Sequence, residues 1–184
     1  SSVNSIRRGM RMIYLDNAAT TGKKPQSVIN AVDSSLREYC ANPGRSGHAV
    51  SMKTAAAVYN TRQELADFFG ATGAENVVFT MNCTHSINCV IKGLLKAGDR
   101  VVTSSLEHNA VRPLYKVGAA VDVAAVSLTD DNITLNNFER LIRPDTKLVI
   151  CTGASNVLGK ALPIGQIGAL CRIRGVPFAV DAAQ

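Results

Sequence analysis

Apolar and polar positions follow two different rhythms along this chain. Val28, Ile29, Val32 and Leu36 recur at helical spacing and predict a helix from Pro25, which suits a first turn, to about Cys40. Ala55, Val58, Leu65 and Phe68 predict a second helix from about Ser51 to Phe69, stopped by Gly70. Beyond Gly70 the rhythm changes. Short β-branched runs predict strands over Asn76 to Met81, Arg100 to Ser104, Val121 to Ser127, Lys147 to Thr152 and Phe178 to Asp181. Helical segments separate them: Thr84 to Lys96, His108 to Val117, Leu135 to Ile142 and Ile164 to Arg174. Gly98, Gly118 and Gly175 close three of these helices, and Arg143-Pro144 closes the fourth.

Strict alternation of strand and helix implies βαβ crossovers, hence an α/β fold with a mainly parallel sheet and flanking helices. Val77-Val78, Val101-Val102 and Leu148-Val149-Ile150 read as buried on both faces, as such strands require. The 184 residues suffice for one domain with a real core. Residues 13–184 are expected to carry the fold. Residues 1–12 are set aside as a leader, disordered or appended.

Composition narrows the partners. Hydrophobic residues make up 46% and charged residues 18%, which is globular composition. No apolar run approaches the ~20 residues of a membrane span, and no signal peptide is seen, so no membrane partner is expected. Arg7, Arg8 and Arg11 in the leader supply half of the net charge of +6, and the other cations are dispersed. A nucleic-acid partner is therefore not expected. Cys40, Cys83, Cys89, Cys151 and Cys171 show neither Cys-x-x-Cys nor zinc-ligand spacing, so no metal is expected and a reducing cytoplasm fits.

The candidate chemistry lies after the strands. Ligands in open α/β sheets bind outside the carboxyl ends of the strands, and Asp181 ends the last one. It reads either as a cap or loop anchor, or as a site carboxylate. Asn82-Cys83-Thr84-His85-Ser86 opens a helix, where free amides and hydroxyls make an anion site or an ordinary N-cap. Glu107-His108-Asn109 follows the second strand, Ser155-Asn156 the fourth, and Gln184 the last. Together these put an anion hole, an imidazole, two amides and a carboxylate at one sheet edge. No Gly-x-Gly-x-x-Gly follows a strand. Gly153 to Lys160 has one residue too many between its glycines for a phosphate loop, and Ala161 replaces the Ser or Thr. Pyridoxal 5'-phosphate has matching needs: a helix N-terminus for its phosphate, an acid for its ring nitrogen, and an imidazole against its ring.

Six stretches extend this picture: Ile13-Tyr-Leu-Asp-Asn-Ala-Ala-Thr-Thr21, Asn42-Pro-Gly-Arg-Ser-Gly-His48, Val78-Phe-Thr-Met-Asn-Cys-Thr84, Ser105-Leu-Glu-His-Asn-Ala-Val111, Ala154-Ser-Asn-Val-Leu-Gly159 and Val180-Asp-Ala-Ala-Gln184. In this order they resemble the N-terminal half of a class V aminotransferase-fold enzyme of the cysteine desulfurase family. The resemblance runs from Ile13 to Gln184. It implies the large domain of the fold type I pyridoxal phosphate enzymes. It also implies that Cys83 and Thr84 hold the phosphate, and that His108 stacks on the ring and takes part in proton transfer. Asp181 would pair with the ring nitrogen and Gln184 with the ring's phenolic oxygen. Asn156 would face that oxygen or the substrate carboxylate. Asn17 and Ala18 would lie near the substrate, and Arg45 and His48 in a loop approaching a dimer interface.

The implied reaction takes sulfur from L-cysteine, leaving alanine and an enzyme persulfide, with a sulfur-acceptor protein as a possible partner and a homodimer as the full-length assembly. Sister activities on the same fold, such as selenocysteine lyase or an aminotransferase, and a non-catalytic module are the alternatives. The resemblance puts the cofactor-bearing lysine and the nucleophilic cysteine beyond Gln184. These 184 residues alone are therefore expected not to turn over, and to expose sheet edges and apolar surface. A helix start would be the sole support for Cys83 as a nucleophile. Two positions depart from the pattern: His85 stands where Glu is usual, and Gly153 where His is common.

Overall fold

The computed structural model describes residues 13–18, 20–44 and 47–184. The chain divides into two compact units between Phe79 and Thr80. The first holds helices α1 (Gln26–Glu38) and α2 (Ala49–Phe69) and a 3-10 turn at Ala74–Asn76. His48 caps α2, its Nδ1 accepting the Ser51 amide at 3.2 Å. Gly70 ends the helix at φ 70°, a left-handed conformation that suits glycine. The apolar stripe of α1 has the predicted spacing, yet none of its residues is buried: Val28, Ile29, Val32 and Leu36 all stay exposed.

The second unit contains strands β1 (Arg100–Ser104), β2 (Ala120–Ala124), β3 (Thr146–Thr152) and β4 (Phe178–Asp181), joined in the order β2-β1-β3-β4. All three pairings are parallel. The expected α/β architecture with a parallel sheet and flanking helices is therefore present. Helices α3 (Cys83–Leu94), α4 (Pro113–Lys116), α5 (Asp131–Leu141) and α6 (Ile164–Arg174) complete the unit.

Strand periodicity builds two cores, one on each face. Val101, Leu148 and Ile150 pack with Ile87, Ile91 and Leu114 on the face covered by α3 and α4. Val102, Val149 and Cys151 pack with Phe138, Ile167 and Cys171 on the face covered by α5 and α6. Burial on both faces holds for these strands as expected from their sequences.

Two predicted elements shift in extent: β2 ends at Ala124 rather than Ser127, and α5 begins at Asp131, capped by Asp130, rather than at Leu135. Two others differ in kind. Asn76 to Met81 forms no strand. Val77 is extended (φ −111°, ψ 123°) but no described strand pairs with this segment, and Val78 is 77% exposed. β-propensity alone does not make a strand, because the ladder needs a partner. The predicted helix His108 to Val117 is broken into a 3-10 turn (Asn109–Val111) and the short α4, with Pro113 restarting the chain at the first helical position.

Candidate functional site

The carboxyl ends of β1, β3 and β4 and the start of α3 carry the candidate side chains of the second unit. Asn82 caps α3 by accepting the His85 amide at 2.9 Å. The amides of Cys83 and Thr84, first and second in the helix, have no acceptor within it. With the exposed Thr84 hydroxyl and the positive end of the helix dipole, they suit an anion. His85 turns back, its Nδ1 accepting the Met81 amide at 3.4 Å, so the residue that departs from the family pattern engages its own turn.

Asp181 ends β4 and is 5% exposed. Its Oδ1 accepts the Ala183 amide and the Cys83 thiol, each at 3.1 Å. The first bond is the local anchoring role considered from the sequence; the second reaches α3. Partial burial, together with the hydrogen bond to Asp181 and its charge, pushes the Cys83 thiol up to about 11. A helix start alone would act in the opposite direction. Among the described residues no cation pairs with Asp181. Among the described residues a thiol and one amide donate to this buried carboxylate, a setting that suits a further, charged donor.

His108 follows β1 and is exposed. Its Nδ1 accepts the Ala110 amide at 3.2 Å, which leaves the ring proton on Nε2. The preceding Glu107, passed over as a site residue in the sequence, lies inside the sheet end. Its Oε1 accepts the Ser104 hydroxyl and the Thr152 amide. Burial raises its pKa, against the effect of those hydrogen bonds, and the Asp181 charge adds to the rise. Its signal in the sequence is Ser104 three residues earlier, at the end of a strand.

Asn156 sits at the tip of a tight loop after β3. The loop is braced by the buried Ser155, whose Oγ accepts the amides of Val157 and Leu158 at 3.3 and 3.2 Å. Gly153 is not required by its backbone: an added Cβ would meet the Asp181 carbonyl oxygen at 3.6 Å, ordinary contact. This position therefore lacks a polar side chain without being forced to glycine. Gln184 is exposed after β4. The second unit thus holds Cys83, Thr84, His108, Asn156, Asp181 and Gln184 on successive strand ends and one helix start. Asn17 and Ala18 belong to the first unit, where Asn17 Oδ1 accepts the Gly22 amide at 3.1 Å. Arg45 lies outside the described residues.

Three comparisons bear on this arrangement. The family model described as aminotransferase class-V matches residues 13–184. A probable cysteine desulfurase of Mycolicibacterium paratuberculosis is 35% identical over 187 residues, covering 96% of this chain and 27% of that protein. An apo cysteine desulfurase from Thermococcus onnurineus NA1 superposes with a TM-score of 0.83 at 33% identity, over 94% of this chain and 44% of that one. A structure described as SspA in complex with cysteine gives 0.78 at 30% identity, over 93% and 50%. The chain spans between 27% and 47% of the length of such curated relatives.

Proposed function

The chain belongs to the aminotransferase class-V family, and we propose that residues 13–184 form part of the cofactor-binding domain of a longer, pyridoxal 5'-phosphate-dependent cysteine desulfurase. Members of this family are pyridoxal phosphate enzymes. The observation that carries the reading is Asp181: a buried carboxylate at a strand end, with no cation partner among the described residues and with an open helix start next to it. The likeness to cysteine desulfurases and to a cysteine-bound structure supports L-cysteine as the substrate.

In this reading the Cys83 and Thr84 amides and the Thr84 hydroxyl hold the phosphate. Asp181 keeps the ring nitrogen protonated, and His108 lies against the ring with its Nε2 proton ready for transfer. Gln184 and Asn156 donate to the ring's phenolic oxygen, with Asn156 also within the substrate's reach. Asn17 and Ala18 complete the substrate side. Bound there, the cofactor supplies an electron sink for bond cleavage at the amino acid. The sulfur of L-cysteine leaves to a thiolate, giving alanine and a persulfide.

Cys83 is a poor acceptor, since its thiol stays protonated to about 11. Burial likewise raises Cys151 and Cys171. Cys40, in the first unit, and Cys89, within α3, are exposed thiols that belong to none of the strand ends carrying the candidate side chains. The family resemblance puts the acceptor thiol at none of these five cysteines, and we assign it to another part of the full-length protein. The free thiols suit a reducing compartment, which supports the cytoplasm. No helix among the described residues is long and apolar enough to cross a membrane. A homodimer and a sulfur-acceptor protein complete the proposal. The test is persulfide detection by mass spectrometry after the full-length protein meets L-cysteine. A persulfide formed together with alanine supports the reading. Selenide release from selenocysteine alone, or amino transfer to a keto acid, contradicts it.

A further inference from the structure

Glu107 takes no part in the reading above, yet its carboxyl joins two strand ends. Oε1 accepts the Ser104 hydroxyl at the end of β1 and the Thr152 amide, at 2.9 Å, at the end of β3. Ser104 is fixed in turn, because its Oγ accepts the Leu106 amide at 3.2 Å. Thr152 is the register partner of Asp181 on β4. A continuous path therefore runs from the turn before His108, through one carboxyl, to the strand pair that presents Asp181. The other oxygen, Oε2, is buried with no partner among the described residues. A solvent-facing glutamate would not incur that desolvation cost, so the clamp holds against a local penalty.

We propose that Glu107 is a positioning residue: its carboxyl bolts the turn that carries His108 onto β3, and so fixes the imidazole relative to Asp181. The inference rests on the cofactor reading of His108 and Asp181. The Nδ1 bond to Ala110 sets the ring's rotation but does not anchor the turn itself to the sheet. Ser105 holds the start of the turn to the end of β2, its amide donating to the Ala124 carbonyl at 2.9 Å and its Oγ accepting the Val126 amide at 3.0 Å. Glu107 supplies the anchor to β3, and it does so by accepting two hydrogen bonds, a task that needs no negative charge. Glutamine offers the same oxygen at the same reach and stands in for it. Alanine removes the clamp.

The experiment titrates pyridoxal 5'-phosphate into the full-length protein and reads its dissociation constant and the visible circular dichroism of the bound cofactor. E107A is expected to weaken binding about tenfold, as loss of a buried clamp would, and to lower the dichroic band. E107Q stays within about twofold of the wild type in both readouts. In an H108A background, E107A adds less than about twofold, because its effect runs through the imidazole. Unchanged binding in E107A, an E107Q as weak as E107A, or a full additional loss in the H108A background would each overturn the proposal. Should E107A not fold, S104A, which removes one arm of the clamp, takes its place with the same expectations. A wild-type protein that binds no pyridoxal phosphate overturns the cofactor reading, and this inference falls with it.

Discussion

The thiol of Cys83 donates to Oδ1 of Asp181 at 3.1 Å, joining two residues 98 positions apart in the chain. The bond ties the start of α3 to the end of β4. It also fixes the protonation state of the thiol, because a thiolate there would face a buried carboxylate.

Alkylation of Cys83 reads that state directly. In the apo-protein its rate should be low at neutral pH and climb with the thiolate fraction, about tenfold per pH unit, up to about 11. Asp181→Asn removes the charge and should move the rise to lower pH. Iodoacetamide labelling followed by mass spectrometry gives both profiles. A Cys83 that labels as fast at pH 7 as at pH 10 would show that the thiol is not held by Asp181.

Glu107 predicts a pH dependence of stability. Its folded pKa lies above its ordinary value, chiefly through burial. The folded state therefore holds the proton more tightly than the unfolded chain does. The stability contributed is full below the ordinary carboxylate range and is lost as pH rises through the raised folded value. Glu107→Gln abolishes this titration. The melting temperature of E107Q minus that of the wild type should increase as pH is raised from 4 to neutrality. A difference that stays flat would place Glu107 in an ordinary solvated setting.

Much of this was legible from local pattern. β1, β4 and α6 fall on the residues that alternation and glycine stops predict. Asn76 to Met81 forms no strand although its composition suits one, because strand formation depends on a neighbour elsewhere in the chain. The polar groups at the strand ends were readable one by one, since each follows its strand. What the sequence could not give is their connection. The Cys83–Asp181 bond spans 98 positions and the Glu107–Thr152 bond 45, and no local periodicity encodes either.

Phe138 is fully buried on the α5 and α6 side of the sheet. Phe138→Ala should destabilise by roughly 3–5 kcal/mol, through lost burial and the cavity left behind. Arg174→Gln breaks the exposed pair with Glu139, 3.5 Å apart, and should cost less than about 1 kcal/mol. Thermal unfolding of both variants checks the ordering. Equal losses would mean that this face is not the core it is described as.

The central claim is that Asp181 serves the ring nitrogen of pyridoxal phosphate in an enzyme acting on L-cysteine. Alanine released from L-cysteine by the full-length, cofactor-loaded protein tests it most directly, with wild type and Asp181→Asn compared side by side. The wild type should release alanine. The variant should release it at least about a hundredfold more slowly, as expected when a charged hydrogen bond of roughly 3 kcal/mol is lost from the reacting centre. Alanine release by Asp181→Asn at the wild-type rate, or none by the wild type, would contradict the account.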